Sequence, residues 1–217
     1  MLGRTLMRRW TDLELIPWDV EDFDLRSAAD TRAAVERAKP DVIVHCAAMT
    51  AVDACETEVD TAYAVNALGS AHIARAAQRV GARLVAISTD YVFPGDAEAP
   101  YHEWDATGPK TVYGASKLAG EEAIKQHCPD HLIARIAWLY GAGGPSFVHT
   151  MLRFGAQEGD AMKVVNDQHG NPTCTNSVAD ALLPLLEDGT GVYHLTSEGE
   201  ATWYDFTREI FRLRGFK

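Results

Sequence analysis

Short, mostly apolar runs without strict alternation recur along the first two thirds of this chain: LELIPW at 13–18, VIVHCAA at 42–48, LVAIST at 84–89 and LIARIA at 132–137. A strand that is apolar throughout, rather than at alternate positions, is covered on both faces. Helix-forming stretches lie between the runs. Residues 27–38 are Ala-rich with Val35 placed to face inward. Residues 57–80 carry Ala62, Val65, Ala67, Ile73, Ala76 and Ala77 at mainly helical spacing, and residues 111–126 form a further candidate. This alternation predicts an α/β chain with a doubly wound parallel sheet.

Past residue 140 the texture changes. GAGGP at 141–145 breaks the pattern, and shorter elements follow: helices near 146–157, 176–187 and 203–213, and strands at KVV (163–165) and VYHL (192–195). The expected division is a nucleotide-binding domain over 1–140 and a smaller substrate-binding lobe over 141–217. Ligands of open α/β sheets bind beyond the carboxyl ends of the strands, which directs attention to the residues after 48, 89 and 137.

Composition excludes several classes. The chain has 217 residues, 47% of them hydrophobic, enough for one good core or two small ones. A net charge of −11 disfavours nucleic acid across a broad face but leaves room for an anionic small ligand in a local pocket. The four cysteines (46, 55, 128 and 174) form no CxxC and suit no zinc spacing, so reduced thiols and a cytoplasmic setting are expected. The N-terminal stretch lacks the apolar region of a signal peptide, and no run reaches the ~18 apolar residues of a membrane span. Neither a membrane nor a nucleic-acid partner is expected.

The chemistry concentrates in YGASK. Tyr113 and Lys117 are four residues apart, hence on one face of a helix. An ammonium beside a phenol favours the phenolate and makes tyrosine a usable acid/base. Taken alone the spacing is weak, since a Tyr on a buried face and a solvated Lys explain it equally well. LVAIST adds Ser88 and Thr89 at a strand end, where a hydroxyl can hold a carbonyl oxygen that gains negative charge; the competing reading of Thr89 is a plain cap. HCAAMTAVD places Ala47 and Ala48 at another strand end, small enough for a flat ring or a pyrophosphate to approach, or simply for tight packing.

Taken together, DVIVHCAAMTAVDACETE, AYAVNALG, ISTDYVFPG, YHEWDATGPKTVYGASKLAGEEA, RIAWLYG, VVNDQHGNPT and GVYHLTSEGEATWYDF resemble the extended short-chain dehydrogenases/reductases, and within them the dTDP-4-dehydrorhamnose reductase family. The resemblance runs nearly throughout the chain and implies a Rossmann-like fold. It implies reduction of the 4-keto group of a dTDP-4-keto-6-deoxysugar by NADH or NADPH. Thr89, Tyr113 and Lys117 would be catalytic, with Tyr113 as general acid. Asp24 and Leu25 would lie by the adenine, Ala47, Ala48 and Ser88 along the cofactor, and Asn66 would brace the strand ends. Val52, Asp90 and Trp138 would border the sugar nucleotide; Trp138 is otherwise a plain core aromatic. Asp19, just after LELIPW, could accept from a ribose 2′-hydroxyl and repel a 2′-phosphate, a lean toward NADH.

The chain departs from the family pattern in places. His45 stands where the family shows Asn, and reads as a satisfied core histidine. Met49 replaces an aromatic or His. Family members open with an apolar strand and a glycine-rich turn, of which only Gly3 would be present, and they continue beyond Lys217. The span 1–217 by itself is therefore expected to fold weakly, and no metal is expected. Two other readings stand beside reduction. A dehydratase or epimerase on the same scaffold is disfavoured because Asp90 is followed by Tyr91 and not by Glu. A non-catalytic, reductase-like regulatory subunit is disfavoured by the intact Thr89, Tyr113 and Lys117. Pairing of two copies into a homodimer stays open.

Overall fold

The computed structural model describes residues 1–157 and 162–216. In chain order it contains α1 (Leu2–Arg9), α2 (Ala28–Ala38), β1 (Val42–His45), α3 (Val52–Thr57), α4 (Val59–Tyr63), a π-helical turn (Ala64–Leu68), α5 (Gly69–Val80), β2 (Arg83–Thr89), a 3₁₀ turn (Asp90–Val92), α6 (Val112–His127) and β3 (His131–Ile136). There follow β4 (Leu139–Tyr140), α7 (Phe147–Gly155), β5 (His169–Gly170), β6 (Thr173–Cys174), α8 (Thr175–Leu182), α9 (Leu185–Asp188), β7 (Gly191–His194), β8 (Ala201–Thr202) and α10 (Trp203–Arg214). These group into two units, each assembled from separated stretches: a larger one of Ile16–Arg135 and Pro184–His194, and a smaller one of Met1–Leu15, Ile136–Leu183 and Leu195–Lys217.

The larger unit is the expected parallel sheet, ordered β1-β2-β3-β7. Val42 to His45 pair in register with Arg83 to Ala86, and Leu132 to Arg135 with Gly191 to His194. Alternation along the strands sends Ile43, Leu84, Ala86 and Ile133 into one core with Val35 of α2, Ile73 and Ala77 of α5, and Ile124 of α6. The helices begin where side chains accept their free N–H groups: Ser27 from Asp30 N on α2, Thr111 from Gly114 N on α6. Two glycines seat α6. A Cβ at Gly114 would lie 2.2 Å from the Tyr91 carbonyl oxygen, and one at Gly120 would lie 2.3 Å from that of Asn66.

Two expected strands do not form. LELIPW is irregular over residues 14–19, with Leu13 and Ile16 exposed, because a strand exists only as one side of a ladder and no described strand runs beside it. KVV is irregular too, and 158–161, within the span just before it, lie outside the described residues. The long helix read over 57–80 begins at Val59 and carries the π-helical turn at Ala64–Leu68.

In the smaller unit α1 packs on α8. Leu2, Leu6 and Trp10 are buried with Val178 and Leu182, and Trp10 Nε1 donates to the Ala179 carbonyl at 3.1 Å. An aromatic group of Trp138, Phe147, Trp203 and Phe206 links β4, α7 and α10.

Gly120→Ala should therefore destabilise the protein by about 1–3 kcal/mol in urea unfolding, the usual cost of overpacking. Gly3→Ala, on a helix with open space around the new methyl, should be neutral or stabilise by up to about 1 kcal/mol.

Candidate active site

The carboxyl end of β2 delivers Ser88 and Thr89, both buried, beneath the first two turns of α6. Thr89 adopts an extended backbone and caps the 3₁₀ turn. Its hydroxyl donates to Asp90 Oδ1 at 3.0 Å and accepts from Tyr91 N at 3.2 Å. The Tyr113 hydroxyl is placed beside the Thr89 side chain, which favours its ionised form, and the Tyr113 ring meets that of Tyr91 edge-on at 5.5 Å. One turn further along α6, Lys117 is buried and donates from Nζ to the Ile87 carbonyl at 2.7 Å. Thr89 at the end of β2 and Tyr113 and Lys117 on the facing turns of α6 thus come from two elements.

Burial sets the charges here. It pushes the Tyr113 phenol up to about 12, with smaller contributions from Asp90 and Tyr91 opposed by the Thr89 side chain. Lys117 is brought down to about 8 by the same cause, opposed by Glu121 and Cys46. The sequence motif suggests a tyrosine activated by its lysine; in the structure burial favours the protonated phenol at Tyr113. Burial also raises Asp90 to about 6, against the Thr89 hydroxyl and nearby backbone N–H groups.

Asn66, in the π-helical turn, is a clamp. Its Oδ1 accepts from Met49 N at 2.8 Å, and its Nδ2 donates to Met49 O at 3.1 Å and to Ser116 Oγ at 3.0 Å. It ties the segment after β1 to α6 beside Lys117. His45 contacts Ser70 Oγ through Nε2 at 3.1 Å. Ser70 gives its own hydrogen to the Asn66 carbonyl, so His45 is the donor; burial holds its imidazole neutral.

Other candidates lie farther out. Ala47 is exposed and Ala48 half-buried in the segment after β1, with Val52 opening α3. Asp24 is half-buried and engaged by Arg26, whose Nη2 donates at 2.8 Å, which holds its carboxyl below the ordinary range. Leu25 presses on α5, where a Cβ at Gly69 would meet it at 2.8 Å. Asp19 lies in an exposed turn and accepts from Val20 N. Gly3 and Trp138 belong to the smaller unit. Gly3 lies in the first turn of α1. Trp138 has φ of 45°, a left-handed conformation rare for a bulky residue, and stacks on Trp203 at 3.5 Å.

Glu121 and Arg135 escaped the motif reading. Arg135 Nε and Nη2 donate to Glu121 at 3.0 and 2.7 Å, and Ser88 Oγ donates to the same carboxylate at 2.5 Å. The signal was a charged residue inside the apolar run LIARIA, which demands a buried partner. Among the described residues no group of three His, Cys, Asp or Glu side chains could hold a metal ion.

A parallel sheet with a Tyr-x₃-Lys helix across its strand ends, and a strand-end Thr beside that Tyr, defines an extended short-chain dehydrogenase/reductase scaffold. Residues 1–217 match the family model described as the RmlD substrate binding domain, and the chain belongs to that family. It is 50% identical over 200 residues to a dTDP-4-dehydrorhamnose reductase of Streptomyces griseus, covering 89% of this chain and 66% of that protein. It is 42% identical over 221 residues to the dTDP-4-dehydrorhamnose reductase of Escherichia coli K12, covering 97% and 74%. A crystal structure of the Bacillus anthracis dTDP-4-dehydrorhamnose reductase in complex with NADP superposes with a TM-score of 0.95 at 38% identity, covering 100% of this chain and 78% of that one. The chain thus spans about two thirds to three quarters of the length of these relatives.

The Asp90 carboxyl binds its proton more tightly in the folded protein (about 6) than its ordinary value of 3.8. Its contribution to stability is therefore largest below about pH 4 and is lost as pH rises through 6. Asp90→Asn should be more stable than wild type by about 1–3 kcal/mol at pH 7, with the advantage gone near pH 4, in paired denaturant titrations.

Proposed function

We propose that the protein reduces the 4-keto group of a dTDP-4-keto-6-deoxysugar, dTDP-4-dehydrorhamnose to dTDP-rhamnose, using NADPH or NADH. The observation that carries this reading is the Tyr113 hydroxyl, held protonated beside Thr89 at a strand end, in a chain 50% identical over 200 residues to a reductase of that name. The residues present suit a nicotinamide cofactor. Ala47 and Ala48 offer a surface with no side chain beyond a methyl group, and the Lys117 ammonium has one recorded hydrogen-bond partner, leaving N–H groups for a ribose.

The bound nicotinamide supplies the hydride to carbon 4. Negative charge would then gather on the former carbonyl oxygen, to which the Thr89 hydroxyl can turn its hydrogen from Asp90 and Tyr113 delivers its proton. The tyrosinate left behind lies on the same helix face as the Lys117 cation, which offsets its charge and lets the protein give up the proton. Asn66 keeps the segment after β1 from drifting away from α6. In this reading Asp24 and Leu25 meet the adenine, Gly3 the pyrophosphate, Asp19 the adenosine ribose, and Ala47, Ala48 and Ser88 the length of the cofactor. Val52, Asp90 and Trp138 border the sugar nucleotide. The setting is the cytoplasm; among the described residues no helix is long and apolar enough to cross a membrane.

Oxidation of NADPH or NADH, followed by absorbance, should depend on the dTDP-4-keto-6-deoxysugar. Tyr113→Phe should lower turnover roughly 10²- to 10⁴-fold, the usual value of a positioned general acid. A Tyr113→Phe protein with wild-type turnover would remove the assignment.

A further inference from the structure

On the sheet face under α5 and α6, every strand ends its apolar alternation on a polar residue. Ile43 gives way to His45, Ala86 to Ser88, Ile133 to Arg135 and Val192 to His194. Three of the four are buried outright and His194 is half-buried. Only one anion meets this row from α6. Glu121 is 2% exposed, receives both arms of Arg135 and the Ser88 hydroxyl, and stands one helical turn beyond Lys117.

We propose that Glu121 is a positioning residue for the reaction, an anion fixed by Arg135 and Ser88 that holds the charge and place of Lys117. The inference rests on the reductase reading only for its effect on turnover; the electrostatic relation stands on geometry. The groups around the Lys117 and Glu121 pair support it. From the end of β1 come His45 and Cys46, which burial keeps neutral; from β2, the Ile87 carbonyl and Ser88; from α6, Tyr113 and Glu121; from β3, Arg135; from β7, His194, where burial also disfavours the charged form. Asp90 lies on the Tyr113 side. Lys117 and Glu121 line the same small cavity of about 10 Å³, with His45, Ser70 and Ser88, room for a single water at most. Glu121 is the main counter-charge of the ammonium, and two cations share that one anion.

Arg135 is anchored independently of Glu121. Its Nη1 donates to the Glu103 carbonyl at 3.3 Å and its guanidinium lies 5.0 Å from the centre of the Phe93 ring. Glu121 is therefore held in place from the sheet side while it faces the lysine on its own helix.

The sign of each substitution follows from charge alone. Glu121→Gln removes the anion and leaves two buried cations, so Lys117 should lose its proton at lower pH. Arg135→Met removes the competing cation, so Lys117 should hold its proton to higher pH. The readout is the ¹⁵Nζ resonance of Lys117 in lysine-labelled protein, assigned by its loss in Lys117→Gln and followed across pH 6–10. The wild-type midpoint should lie near 8, with Glu121→Gln lower and Arg135→Met higher, each by at least about half a pH unit. The alkaline limb of turnover should move with it. A purely structural role would lower activity in both variants without moving the two midpoints apart.

Midpoints that stay together, or move in the same direction, would overturn the proposal. If Glu121→Gln does not fold, the Arg135→Met midpoint decides alone: upward supports the proposal, unchanged or downward ends it. If the midpoints separate as expected and no dTDP-sugar is reduced, the functional reading falls and the electrostatic one stands.

Discussion

Lys117 is a cation inside a protein. Its ammonium has one backbone carbonyl within hydrogen-bond reach, and the nearest carboxylate is already gripped by an arginine. A charge so placed costs several kcal/mol unless the surroundings answer it, and the answer is written across the larger unit. The Ile87 carbonyl is free to accept because β2 is ending there. α6 lies close enough to use it because Gly114 and Gly120 remove the methyl groups that would hold the helix off. The segment after β1 stays against the same helix because Asn66 satisfies both backbone groups of Met49.

The same exclusion of water decides the direction of the chemistry. A phenol in water ionises near 10, and a neighbouring ammonium would lower that value. Burial instead raises the Tyr113 phenol to about 12 and keeps its proton in place. For an enzyme that adds hydride to a ketone this is the useful state, because the developing alkoxide needs a donor. Asp90, forced to hold its proton to about pH 6 beside Thr89, shows what such a site costs in stability.

Much of this was legible in the residues. VIVH, RLVAIST and HLIARI are strands because largely apolar runs without strict alternation have both faces to bury, and the Tyr113 and Lys117 spacing sets the helix face. LELIPW reads equally apolar, yet strand formation is a property of a pair, and a single segment carries no information about who lies beside it. The π-helical turn was hidden inside a helical periodicity that it barely disturbs, although it is what aims Asn66 at Met49. Glu121 and Arg135 were visible only as charges in the wrong surroundings. Their pairing joins residues 14 apart in sequence through the packing of α6 on β3, which no local pattern records. The left-handed backbone of Trp138, stacked on Trp203, is a tertiary feature of the same kind.

The central claim is that the carbonyl carbon of a dTDP-4-keto-6-deoxysugar receives hydride directly from the nicotinamide while Tyr113 protonates the oxygen. Nicotinamide carrying deuterium in the transferable position at carbon 4 of its ring, incubated with the protein and dTDP-4-keto-6-deoxysugar, tests it most directly. Proton and deuterium NMR of the product should show one deuterium on sugar carbon 4 and none elsewhere. A product without deuterium, or with isotope exchanged from solvent at carbons 3, 5 or 6, would contradict simple reduction and point to elimination or epimerisation on the same scaffold.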